Sequence, residues 1–155
     1  MNLFQKFSLV LLGAALALPG YAAKDPLKSA IKARQGEMQL RAYNAGPLFA
    51  MAKGDIAYDA EKAKMLSSNL VKLMEVDIRS SWAKGSDNKA YPDDTTALEK
   101  IWTTYPEIGE YGKNYATAVR ELAEVAGNGV GPLKSKIGAL GKSCKGCHDD
   151  FREKD

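Results

Sequence analysis

GPLKSKIGALGKSCKGCHDDFR, residues 131–152, decides how this chain folds. Leu133, Ile137, Leu140, Cys144, Cys147 and Phe151 recur at steps of 4, 3, 4, 3 and 4, which is one face of an α-helix. Pro132 suits its first turn, where a missing N–H costs nothing, so a single helix is expected from Gly131 to Asp155. Inside it Cys144, Lys145, Gly146, Cys147 and His148 spell C-x-x-C-H, the attachment signature of a covalent c-type haem. Two thiols three positions apart can each form a thioether to one porphyrin vinyl group. The histidine that follows can ligate the iron from the same helix face.

Other uses of these residues fit less well. A thioredoxin-like C-x-x-C follows a strand and opens a helix, whereas this one sits late in a helical pattern. A structural zinc site takes about four Cys or His ligands, and the chain has 2 Cys and 1 His in total. A disulfide between Cys144 and Cys147 would close a tiny loop and constrain almost nothing.

The N-terminus reads as an export signal. Lys6 lies in a short polar region, an apolar run from Ser8 to Leu18 follows, and Pro19-Gly-Tyr-Ala22 places small residues at −3 and −1 of a cleavage site. Residues 1–22 are therefore expected to be removed, leaving one domain over 23–155. The apolar run is shorter than the roughly 20 residues that span a bilayer, so no membrane insertion of the mature chain is expected. Export to the periplasm agrees with the haem motif, because bacteria complete this attachment outside the cytoplasm.

Removing Lys6 takes the formal charge from +3 to about +2, too small an excess to point to nucleic acid or an anionic membrane. No Lys/Arg-rich run or phosphate-binding glycine loop is present.

Three further segments are helical by pattern. The first opens with Asp25 as N-cap and Pro26 at N1, carries the stripe Leu27, Ile31, Met38 and Ala42, and meets Pro47, expected to kink or interrupt it. The second runs from Asp59 to Gly85 with Ala63, Leu66, Leu70, Leu73, Met74, Ile78 and Trp82 on its stripe. A turn-rich connection from Ser86 to Asp94 has no core pattern. The third starts near Thr96 or Pro106, carries Ile108, Tyr111, Tyr115, Val119 and Leu122, and stops at Gly127-Asn128-Gly129. Period-2 alternation is absent, so the expectation is all-α: an antiparallel up-and-down four-helix bundle with short loops, burying one covalently bound haem.

The C-terminal Cys144-Lys-Gly-Cys-His-Asp-Asp-Phe-Arg152, the Arg34-Gln-Gly-Glu-Met38 segment and the exported four-helix layout resemble the cytochrome c prime family over essentially the whole mature chain. The resemblance implies a four-helix bundle, often a homodimer, with His148 as proximal iron ligand. It further implies that Arg34 and Gln35 contact haem propionates, that Arg152 packs near the ligated imidazole, and that Met38 faces the sixth coordination site. A guanidinium fork suits a carboxylate, and Arg152 four residues beyond His148 equally fits an ordinary cation at a helix C-terminus.

Met38 carries two readings that the sequence leaves open. If its sulfur ligates iron, the protein is a low-spin, six-coordinate electron-transfer cytochrome with a raised potential. If it only packs, the iron stays five-coordinate and open to NO or CO. Met51, Met65 and Met74 are weaker ligand candidates with ordinary explanations as packing residues. Trp82, Tyr111 and Tyr115 are candidate walls of a haem pocket, with bundle core as the plain alternative, and Tyr58 is a candidate support for the turn before the second helix.

An enzyme is not expected. A haem peroxidase needs a distal acid–base group, there is no second histidine, and Glu37 beside Met38 reads as a solvent-facing charge. Two functions remain: binding of diatomic gases at a five-coordinate haem, or one-electron shuttling between periplasmic redox partners.

Overall fold

The computed structural model describes residues 25–154. The signal peptide expected over 1–22, and Asp155, lie outside them. Four long helices make a bundle: α1 (Pro26–Lys53), α2 (Ala60–Leu73), α4 (Glu107–Val125) and α5 (Val130–Phe151). A 3₁₀ turn (Arg79–Ser81) and a short helix, α3 (Lys100–Thr103), lie on the connection between α2 and α4. Contacts α1–α2, α2–α4, α4–α5 and α5–α1 close a ring, so helices adjacent in the chain are neighbours and antiparallel. Among the described residues there is no strand, only an isolated bridge between Ala97 and Arg152. No described helix is long and apolar enough to cross a membrane.

Local chemistry sets the ends. The Asp25 carboxylate accepts from the backbone N–H of Leu27 at 2.8 Å and of Lys28 at 3.2 Å, with Pro26 at N1, satisfying donors that the first turn leaves free. Asp59 caps α2 through the N–H of Lys62 at 3.0 Å. Tyr58 fixes more than its own turn: its hydroxyl donates to the Ala126 carbonyl and accepts from the Gly129 N–H, each at 2.8 Å, tying the approach to α2 to the α4–α5 corner.

The aliphatic core occupies one end of the bundle. Leu48 and Met51 of α1, Ala63, Leu66 and Leu70 of α2, Val119 and Leu122 of α4, and Leu133, Ile137 and Leu140 of α5 form one buried cluster. Full burial of such a side chain contributes about 1.5–3 kcal/mol. At the other end the packing changes character. There α1 buries Arg34 and Glu37 (3% and 6% exposed), and α5 brings its half-buried cysteines.

Several expectations are corrected. α1 continues through Pro47 to Lys53; the carbonyl that loses its partner belongs to Tyr43, which lies on the exposed side. α2 ends at Leu73, not Gly85, and the connection to α4 is long, covering residues 74–106. That connection is not mere surface: Ser86 and Thr95 are buried against Arg34 of α1, and Asp87 is buried with its carboxylate accepting from the N–H groups of Lys89 and Ala90. On the α1 stripe Ile31 is buried, Leu27 and Met38 are half-buried and Ala42 is exposed. Glu37 faces the interior instead of solvent. Met51 is core as expected, but Met65 is exposed rather than packed.

Candidate functional site

Cys144 and Cys147 are free thiols on the last turns of α5, both half-buried, with Cys144 packed against the aliphatic cluster. Their i, i+3 spacing puts them on one helix face, and His148 follows with part of its surface open. Tyr111 of α4 lies against this segment at Gly146, where an added Cβ would stand 3.4 Å from its ring. The Tyr111 hydroxyl donates to the Asp150 carboxylate, and its ring meets Phe151 edge-on at 5.3 Å. A Cβ at Gly146 would therefore rest in ordinary van der Waals contact with the Tyr111 ring.

Charge and burial tune the three groups. Burial pushes both thiols above their ordinary range; the Arg41 charge pulls each back, and Cys144 raises Cys147 further. Partial desolvation of His148 lowers its pKa, with the Arg152 charge acting in the same direction. Neutral imidazole is the form that ligates a metal. Arg152 is exposed and extended, its N–H bonded to the His148 carbonyl at 3.1 Å.

The remaining expected residues occupy α1. Arg34 is spent on the long connection: Nη1 donates to Ser86 Oγ at 2.6 Å, and Nη2 to the Ser86 carbonyl at 2.5 Å and Thr95 Oγ1 at 3.0 Å. Its guanidinium sits 5.5 Å from the Trp82 ring centre and 5.7 Å from that of Trp102. Trp82 is thereby a wall for Arg34, and its carbonyl accepts from Trp102 Nε1 at 2.8 Å. Gln35 is exposed and donates to the Asp94 carbonyl at 2.7 Å. Met38 is half-buried.

Between α1, the start of the long connection and α4 opens a cleft of about 520 Å³, walled by Arg41, Met74, Ile78, Tyr115 and Arg120. Met38 is not among its walls. The size lies within the range of cofactor and ligand sites, ≈ 300–1,000 Å³. Glu37 Oε2 and the Tyr115 hydroxyl are buried with no partner in the surrounding protein, as is Asn88 Oδ1 on the long connection. No residue of α5 lines this cleft, so Cys144, Cys147 and His148 stand outside its walls; the two thiols paired on one helix face with a histidine beside them are the donor set that a covalently held porphyrin requires. Sequence reasoning does not single out Arg41; the available signal was Glu37-x-x-x-Arg41, an acidic-to-basic pair at i, i+4.

Comparison with known proteins agrees. Residues 29–152 match the family described as cytochrome c′. A cytochrome c′ of Cereibacter sphaeroides is 38% identical over 141 residues, 89% of this chain and 92% of that protein. A cytochrome c′ of Halomonas halodenitrificans is 32% identical, covering 81% of this chain and 96% of its own. The solved cytochrome c′ from Rhodobacter spheriodes superposes with a TM-score of 0.82 at 37% identity, over 84% of this chain and all of that one. The chain belongs to the cytochrome c′ family, four-helix bundles that carry one covalently attached haem c.

Proposed function

We propose that this chain is an exported periplasmic haem protein that binds diatomic gases, NO or CO, at a five-coordinate iron and supports one-electron redox chemistry rather than catalysis. The observation that carries this reading is the grouping of Cys144, Cys147 and His148 on one face of α5, where Cys144 meets the edge of the aliphatic cluster. In it Cys144 and Cys147 would tether the haem through thioethers and His148 would supply a nitrogen ligand to its iron. Bound there, the haem would supply an iron that changes oxidation state by one electron and can take up a small ligand.

Met38 is the candidate sixth ligand of the alternative, low-spin electron carrier, and it is half-buried on α1 one residue from the inward-facing Glu37. A 25% identical relative from Alcaligenes xylosoxidans was solved, as a variant, with carbon monoxide bound, which supports gas binding as a capacity within the fold. The single histidine is already assigned to iron, leaving no second imidazole for acid–base catalysis. Homodimerisation is part of the proposal: Leu40 and Tyr43 of α1 and Met65 of α2 are large apolar side chains 52%, 76% and 53% exposed.

Absorption spectra of the ferric and ferrous protein, with and without CO, test the reading. It expects a high-spin resting spectrum that shifts when CO meets the ferrous form. A low-spin spectrum indifferent to CO would establish the electron-transfer alternative, and a matured protein without a haem band would sink both.

A further inference from the structure

Helix α5 does not stop at a glycine. It runs straight into Arg152 in extended backbone, and there the chain pairs with the long connection. On either side of the Ala97–Arg152 bridge, the Leu98 N–H donates to the Phe151 carbonyl at 2.9 Å and the Glu153 N–H to the Thr96 carbonyl at 2.8 Å. Asn88 reaches both partners: its N–H donates to the Ala97 carbonyl at 2.8 Å, and its Nδ2 to Glu153 Oε2 at 3.0 Å. The Lys100 ammonium stands 5.0 Å from the centre of the Phe151 ring, which is buried. Residues of the connection therefore supply the donors that the end of a helix otherwise lacks.

Thr95 joins this arrangement to α1. It is 8% exposed, and its Oγ1 accepts from Arg34 Nη2 at 3.0 Å and from the Ala97 N–H at 3.1 Å. Both acceptor sites of one hydroxyl are thus filled, one by α1 and one by the bridging segment.

We infer that Thr95 is a positioning residue for His148: through the bridge it fixes the last turn of α5, and with it the orientation of the imidazole. The inference rests on the reading of His148 as an iron ligand and deepens it. The Arg152 N–H closes the final helical bond onto the His148 carbonyl at 3.1 Å, so His148 belongs to the turn that the bridge holds. A free helix end frays, and each residue lost from the helix releases a rotation of about 100°. Cys144 and Cys147 lie further from that end and would tether the porphyrin, which leaves the imidazole as the group the bridge sets. Orienting a metal-binding histidine is the work of partners beyond the ligand itself.

The chain contains one histidine, so ring-deuterated histidine labels a single imidazole. Its deuterium NMR resonance in the ferric holoprotein and amide exchange at Leu98 and Glu153 are measured in the native protein, Thr95→Val, Thr95→Ser and Tyr58→Phe. Thr95→Val should speed exchange at both amides about tenfold and move the imidazole resonance, and Thr95→Ser should return both to native values. Tyr58→Phe loosens the opposite end of α5 and should leave the resonance in place. The inference is overturned by unchanged exchange or an unmoved resonance in Thr95→Val, by failure of Thr95→Ser to restore them, or by an equal movement in Tyr58→Phe. Asn88→Ala loses only the side-chain bond to Glu153 and reports even if Thr95→Val folds poorly. There the resonance should move the same way by less, and faster Glu153 exchange at a fixed resonance again overturns the inference. A native imidazole resonance without a paramagnetic shift fails the ligand reading itself, whereas a shifted one that ignores Thr95 fails the inference alone.

Discussion

Arg34 grips Ser86 twice, through its hydroxyl at 2.6 Å and its carbonyl at 2.5 Å, across 52 residues of chain. With Thr95 as third acceptor and Trp82 and Trp102 beside it, this guanidinium pins the middle of the α2–α4 connection to α1. Truncation leaves buried acceptors without their donor, so Arg34→Ala should cost about 3 kcal/mol. Arg34→Lys should recover little, because an ammonium cannot reproduce the fork. Denaturant titration of the holoprotein followed by circular dichroism checks both, and a loss below 1 kcal/mol would contradict the account.

Tyr111 gives a pH dependence of defined sign. Donation to Asp150 pushes its phenol from 10.0 up to about 12. The folded state holds that proton more tightly than the unfolded chain, so the stabilisation is complete below pH 10 and disappears as pH rises toward 12. Tyr111→Phe lacks it throughout. The gap in denaturation midpoint between native protein and Tyr111→Phe should be constant below pH 10 and close across that window; a gap that widens would reverse the sign.

The α4–α5 corner depends on Gly129, which adopts φ 128° and ψ 163° at the N-cap of α5. That backbone region is essentially reserved for glycine, so Gly129→Ala should cost about 1–3 kcal/mol. Tyr58→Phe, which removes the hydroxyl bridging Ala126 and Gly129, should cost about 1–2 kcal/mol. Amide hydrogen exchange should speed up first at the start of α5 in both variants.

Met38→Ala addresses the iron. With an open sixth position the variant should keep a high-spin spectrum and bind CO severalfold faster by stopped flow, as a bulky neighbour is removed. Conversion of a low-spin spectrum to a high-spin one would show that the thioether had been a ligand.

How much of this was legible depends on where each residue finds its partner. The α5 face was readable from spacing alone: Leu133, Ile137, Leu140 and Phe151 are all buried, and the haem motif falls on the same face. The caps Asp25 and Asp59 act within three residues, and they too sit where the sequence puts them. On α1 the reading failed because its inner face is polar. Arg34 is buried only because Ser86, Thr95 and two tryptophans come to it from 48 to 68 positions away. Hydropathy periodicity carries no record of such long-range pairing. Glu37 and Arg41 were hidden for the same reason, their burial being set by Tyr115 on α4.

The split of the bundle into an aliphatic end and a cofactor end bears on how such a chain can diversify. Leu48, Leu70, Leu122 and Leu140 hold the four helices together in a cluster that includes neither Met38 nor Arg41. Substitutions at well-separated sites add nearly independently. Mutation can therefore re-tailor the chemistry around the iron one residue at a time while the scaffold stays folded, which gives natural selection, or an engineer, a modular haem protein.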